Sequence, residues 1–140
     1  MENNKYFTPD IEDLHIGYEC EIYAQCTDKL IRKVDWHPVK VFHSPERSRY
    51  VGILQCKKLI KTHHIKVPYL TKEQIEAEGW KFDYNLGDFD YYIKTVNDTE
   101  HELEFCYKER ININKYKFTL YHGECKDINT FRKIIKLLGI

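Results

Sequence analysis

Alternating apolar and polar positions organise most of this chain. From His15 to Gln25, residues Ile16, Tyr18, Cys20, Ile22 and Ala24 share one phase, and Gly17, Glu19, Glu21, Tyr23 and Gln25 share the other. That is the period of a strand with one buried and one wet face. Residues 33–42 read as a second strand carrying Val34, Trp36, Val39 and Val41, with Pro38 placing it at an edge or a bulge. Residues 43–49 form a polar loop, and 50–56 return as a strand. Residues 57–67 fit a strand interrupted around Thr62-His63-His64, which Pro68 ends. Further on, 80–84 and 91–96 read as strands. Leu103, Phe105 and Tyr107 alternate with charged residues, and Ile111 and Ile113 continue their phase. Asn97-Asp98 and Asn114-Lys115 are the expected tight turns, and Tyr116, Phe118 and Leu120 share one side of the last strand.

Two stretches change to helical spacing. Thr71 with Gln74 three residues on makes a capping box, and Leu70 with Ile75 makes a hydrophobic staple. Gly79 supplies the left-handed stop, with Trp80 placed to fold back onto Ile75. A short helix is therefore expected over 71–78. Ile128, Phe131, Ile134, Ile135 and Leu138 form an apolar stripe over 128–138, capped by Asp127 or Asn129 and stopped by Gly139. Thr8-Pro9 opens a single turn with Ile11 and Leu14 turned inward. Two short helices on a mostly antiparallel meander give an α+β fold, with residues 1–140 as one compact domain.

Composition then narrows the function. The formal net charge is zero, against a dedicated duplex binder, whose affinity rests on phosphate neutralisation. The charge is nonetheless zoned. Residues 29–66 hold ten basic and two acidic residues, and 67–109 hold four basic and eleven acidic. Five cysteines, an odd number without a C-x-x-C pair, suit a reduced compartment in which they serve as small apolar residues. No apolar run approaches membrane-spanning length, and the polar start does not read as a signal peptide.

Catalytic chemistry finds no support in the motifs. There is no glycine-rich phosphate loop, no G-x-S-x-G and no H-E-x-x-H. His63 and His64 are adjacent, so on a strand they diverge and cannot share a metal. Cys106, Cys125, His101 and His122 lie in one region without a spacing that brings them together. The expectation is no catalytic residue, no metal and no cofactor. The candidate ligand-binding residues lie in the basic segment: Arg47, Arg49 and Tyr50 closing a loop, with Trp36 before it and His63 and His64 after it. Arginine and aromatic side chains together suit a phosphate and a stacked base.

Four stretches recur together elsewhere: Tyr6-Phe7-Thr8-Pro9-Asp10-Ile11-Glu12-Asp13-Leu14, Gly17-Tyr18-Glu19-Cys20-Glu21, Tyr69-Leu70-Thr71-Lys72-Glu73-Gln74-Ile75-Glu76-Ala77-Glu78-Gly79-Trp80, and residues 118–140 with His122-Gly123 before a helix closing in Leu137-Leu138-Gly139-Ile140. The ensemble resembles small proteins of tailed phages of Bacteroidetes, crAss-like phages included, and of their prophages. These residues are caps, turns and strand positions, so the resemblance transfers no functional residue, and it does not reach residues 26–66. It implies expression in the cytoplasm of an infected bacterium.

The expected function is that of a non-catalytic phage accessory protein that binds a host factor in counter-defence. It would act as a protein inhibitor or by sequestering an anionic nucleotide signal. The alternatives are a virion structural or assembly component and a nucleic-acid-binding accessory protein. The expected partner is a host protein or a small anionic ligand. Nucleic acid is not favoured, a membrane is not expected, and a homo-oligomer is open.

Overall fold

The computed structural model describes residues 5–25, 34–42, 50–106 and 109–140. Among the described residues it holds ten strands and three α-helices. Contacts divide the chain into two compact units, Met1–Pro68 and Tyr69–Ile140. Each is built on its own five-stranded sheet, in the α+β class that the hydrophobic pattern predicts.

The first unit contains β1 (Tyr6–Phe7), β2 (Glu19–Gln25), β3 (Val34–Phe42), β4 (Tyr50–Gly52), α1 (Ile53–Lys61) and β5 (Ile65–Pro68), in the sheet order β1-β5-β2-β3-β4. All pairs are antiparallel except β3 with β4. The helix packs on one face, over Tyr18, Cys20, Ile22, Val39, Val41, Ile65 and Val67, with Cys56 as its buried contact. The helix corrects the expectation of strand over 53–61, whereas Tyr50–Gly52 and the stretch from Ile65 are strands as expected. Cys56, Leu59 and Ile60 recur at helical spacing on the core side, while Lys57, Lys58 and Lys61 stay exposed. Lys58 and Lys61 also lie in the last turn, where the helix dipole favours cations.

Three details near the chain start differ from expectation. Ile11 is exposed within a short 3-10 turn (Ile11–Asp13), while Leu14 packs on the core. Ile16 is also exposed, because the chain turns at Gly17 with φ +88° and the alternation takes hold only from Tyr18. Pro38 lies in an interior strand opposite Glu21 of β2, and among the described residues β4 pairs only with Lys40–Phe42, so no described strand flanks the proline on its other side.

The second unit contains α2 (Lys72–Ala77), β6 (Lys81–Leu86), β7 (Phe89–Val96), β8 (Thr99–Cys106), β9 (Arg110–Lys115), β10 (Phe118–Glu124) and α3 (Ile128–Leu138). The five strands form an antiparallel meander in chain order. The α2 capping box is present in both directions: Thr71 Oγ1 accepts from Gln74 N at 3.2 Å, and Gln74 Oε1 accepts from Thr71 N at 3.1 Å. Gly79 takes φ +91°, and Ile75 and Trp80 are buried in one cluster with Tyr92, Leu103, Phe105, Ile111, Ile113 and the inner face of α3. Asp127, rather than Asn129, caps α3. Its buried carboxylate accepts from Thr130 N (3.2 Å), Thr130 Oγ1 (2.6 Å) and Asn129 Nδ2 (2.7 Å).

Three strand readings in this unit are corrected. The odd-numbered alternation of Leu103, Phe105, Ile111 and Ile113 is two strands, not one, because Cys106 pairs with Arg110 across a turn. The last hairpin turns at Tyr116–Lys117, two residues beyond Asn114-Lys115, since Lys115 pairs with Phe118. A register shift between Thr119 and Tyr121 then changes the phase of β10. Tyr121 packs on the core, whereas Tyr116, Phe118 and Leu120 are exposed.

Candidate ligand-binding face

The sheet of the first unit has a face opposite α1, set by the residues that alternate with its core. On β2 these are Glu19, Glu21 and Tyr23; on β3, Trp36, Pro38 and Lys40; on β5, Lys66; on β1, Tyr6. Register brings them together. Tyr23 is directly opposite Trp36, Glu21 is opposite Lys66, and Tyr23 N donates to His64 O at 2.9 Å.

Their side chains form a row of rings around an ammonium group. Tyr23 lies between Trp36 (centroids 5.4 Å apart, tilted 54°) and His64 (5.7 Å, stacked at 17°). Lys66 Nζ sits 3.9 Å from the Tyr6 ring centroid and 4.1 Å from that of Trp36. Two ring faces thus hold one cation by their quadrupoles. The Glu21 carboxylate, joined by burial and by the hydrogen bond the phenol donates to it, pushes Tyr6 above its ordinary pKa. At the margin, Lys40 Nζ is 3.4 Å from Glu19 Oε1. Tyr6 and Tyr23 remain about two-fifths exposed, so the rings present π-surface to solvent rather than to a core.

The predicted site residues are distributed as follows. Trp36 and His64 meet through Tyr23. His64 Nδ1 is 2.9 Å from Thr62 Oγ1, which fixes the imidazole beside the row. His63 follows the C-terminus of α1, exposed and with φ +57°, and does not join the row. Tyr50 opens β4, opposite Lys40. Arg47 and Arg49 lie outside the described residues. The residues missed were Tyr6, Tyr23 and Lys66. The alternation already places Tyr23 on the wet face, but only the pairing of β1, β5, β2 and β3 shows that all three converge.

The groups that could carry nucleophilic chemistry are set apart. His101 is buried on the side of the meander that faces α3, whereas Cys106 is five residues away on the same strand and so projects from the other side. Cys125 is buried, and its thiol donates to Asp127 O at 3.8 Å. Burial pushes the Cys20 thiol up to about 12 and that of Cys56 up to about 11, and raises Cys125 as well. Thiols held that far above neutrality are poor nucleophiles. Among the described residues, no three His, Cys, Asp or Glu side chains gather as a metal site, and no helix is long and apolar enough to cross a membrane.

Comparison of the chain with protein families, curated proteins and solved structures returned no match. The functional reading therefore rests on the residues themselves.

Proposed function

We propose that this is a non-catalytic binding protein, an accessory protein of a Bacteroidetes phage, that sequesters an anionic nucleotide signal in the cytoplasm of the infected cell. One observation carries the reading: the Lys66 ammonium is held between the Tyr6 and Trp36 rings on an open sheet face. Exposed rings on a sheet stack bases, and a fixed ammonium beside them meets a phosphate. Arg47 and Arg49 fall in the basic stretch of sequence between β3 and β4, outside the described residues.

The test is calorimetric titration and thermal unfolding of the full chain with ADP, cyclic AMP and a cyclic dinucleotide. A ligand at a hundred times its Kd stabilises the folded state by about 2.7 kcal/mol. Lys66→Met and Trp36→Leu should each weaken binding about tenfold while leaving the unliganded protein folded, as one lost charged or stacking contact of roughly 1–3 kcal/mol predicts. Absence of any shift at millimolar nucleotide would exclude the reading. A second reading, a protein inhibitor, draws on the exposed rings of the other unit.

A further inference from the structure

The residues of the meander that alternate with its core make an outer sheet face, and the acids of that face stand without cations opposite them. Tyr84 of β6 is opposite Tyr91 of β7, Tyr91 is opposite Glu104 of β8, and Glu104 is opposite Asn112 of β9. In the next row Ile93 is opposite Glu102, and Glu102 is opposite Asn114. Each glutamate therefore has uncharged neighbours on both adjoining strands. Opposite charges across strands stabilise a sheet surface, as Lys40 and Glu19 do in the first unit at 3.4 Å. On this face the cations nearest in register are Lys81, separated from Glu102 by Ile93, and Arg110, which is opposite Cys106 and diagonal to Glu104. Neither forms an ion pair with Glu102 or Glu104.

The same patch offers a ring and a further acceptor. Tyr84 and Tyr91 stack 4.4 Å apart at 12°, so one face of Tyr91 is covered from β6 and the other is turned toward β8, where Glu104 and Glu102 stand. Asn112 Oδ1, beside Glu104, has no hydrogen-bond donor. Burial first, and then carboxylates that include Glu102 and Glu104, raise both phenols above their ordinary pKa, so the field here is negative. Acceptors that lack donors, set beside a ring face, select a guanidinium. That group is planar, stacks on aromatic rings, carries N–H donors and no acceptor, and is more weakly hydrated than an ammonium. A phosphate is repelled. Leu86 and Phe89, paired in the adjoining row, add exposed apolar surface to the same side. An open sheet face holds a free small cation at few points, whereas an arginine carried on a protein brings contact area with it.

We propose that this patch is a docking site for an arginine side chain of a partner protein. The guanidinium lies on the open face of Tyr91 and donates to the carboxylates of Glu102 and Glu104, and the partner's surface beside it covers Leu86 and Phe89. The inference rests on the reading of this chain as a binder, but it uses no residue of the nucleotide face. Changes at Lys66 leave it intact, and changes at Glu102 leave nucleotide binding intact, so the two readings fail independently.

The experiment titrates the full chain, observed through the NMR signals of its tyrosine rings and glutamate side chains, with three probes. These are a short capped peptide carrying two arginines and a leucine, the same peptide with lysines in their place, and arginine amide alone. The arginine peptide is expected to shift Tyr91, Glu102 and Glu104 and to bind about threefold tighter than the lysine peptide, because only the guanidinium stacks and forks. Tyr91→Leu keeps the carboxylates and should bring the two peptides level. Glu102→Gln with Glu104→Gln should weaken both about tenfold at low salt, as two lost solvent-facing charge pairs predict. Lys66→Met should change neither. Arginine amide should bind more weakly than the peptide. Equal affinity for the two peptides in the wild-type chain, shifts confined to Glu19 and Glu21, arginine amide binding as tightly as the peptide, self-association of the chain through this face, or no shift at millimolar peptide would each overturn the proposal.

Discussion

Each unit covers one face of a five-stranded sheet, with α1 in the first and with α2 and α3 in the second, and leaves rings on the other face, but the two set different charges against those rings. In the first unit an ammonium lies between them: Lys66 against Tyr6 and Trp36. In the second, Tyr84 and Tyr91 stack 4.4 Å apart at 12° beside the carboxylates of Glu102 and Glu104. The ring content alone therefore says little about a partner. The first face sets Lys66 and Lys40 among the carboxylates of Glu19 and Glu21. The second surrounds its phenols with negative charge, which repels a phosphate. Zoning along the chain foreshadows this, since the basic stretch 29–66 falls in the first unit and the acidic stretch 67–109 almost wholly in the second.

The largest predicted effect uses the thiols to ask whether the two units open together. Cys20 and Cys56 are buried in the first unit, and Cys125 in the second. A thiol raised from 9.0 to about 12, as Cys20 is, has about a thousandfold less thiolate at a given pH. Labelling at pH 8 should leave all three untouched in the native protein and modify all three when it is unfolded. Their folded pKa values lie above the unfolded ones. The associated stability is thus complete below about pH 9 and is lost as pH rises through the folded values. Peptide mapping of alkylation across a denaturant series separates the units. Simultaneous labelling would mean one cooperative transition, and Cys20 and Cys56 reacting before Cys125 would mean that the first unit opens alone.

The helix caps provide the next contrast. The Asp127 side chain accepts three hydrogen bonds at the start of α3, whereas the α1 cap position is Gly52, with no side-chain bond. Asp127→Ala should destabilise the second unit by about 2 kcal/mol, from the lost cap and the removal of one partner from buried Asn129. Asp127→Asn should keep most of the cap. The reverse experiment is smaller. A Cβ at Gly52 meets nothing within 4 Å, and its φ of −74° suits any residue. Gly52→Asp should therefore stabilise the first unit by about 0.5 kcal/mol through capping and the helix dipole. Thermal or denaturant unfolding checks both. A larger gain at Gly52 than loss at Asp127 would reverse the contrast.

The features that could be read from sequence were local ones. Thr71, Gln74 and Gly79 specify α2 within nine residues, and Asp127 with Gly139 brackets α3 in the same way. The helix α1 was not legible because its apolar residues come in pairs, Ile53-Leu54 and Leu59-Ile60, which also fit short buried strands. The β8–β9 turn was hidden because both strands present odd-numbered residues to the core, so alternation continues through it. The bulge in β10 adds a residue without a local signal and takes Leu120 out of the expected phase, while Phe118, before the bulge and opposite Lys115, is exposed at the hairpin end. The candidate face behaves in the same way. Trp36 and His64 stood out as residue types beside a basic segment, but Tyr6 and Lys66 join them only through strand register, which depends on pairings far apart in sequence.

The smallest effect tests the electrostatic half of the comparison. Burial first, and then nearby carboxylates, raise Tyr84 and Tyr91 above the ordinary phenol pKa of 10.0. For Tyr84 those carboxylates are Glu102, Asp83 and Glu104; for Tyr91 they are Glu104 and Glu102, with a hydrogen bond to Glu104 as well. Because the folded values exceed the unfolded one, the phenols leave stability unchanged below about pH 10 and reduce it as pH rises through the folded values. Glu102→Gln with Glu104→Gln should shift part of the alkaline ultraviolet titration downward and soften the loss of stability there, without moving the neutral-pH midpoint by more than surface substitutions do. Both phenols are exposed enough that screening in 0.5 M salt should reproduce much of the change. If neither the substitutions nor salt moved the titration, burial alone would set these phenols. The two faces would then differ in the lysine of the first unit and not in a negative field on the second.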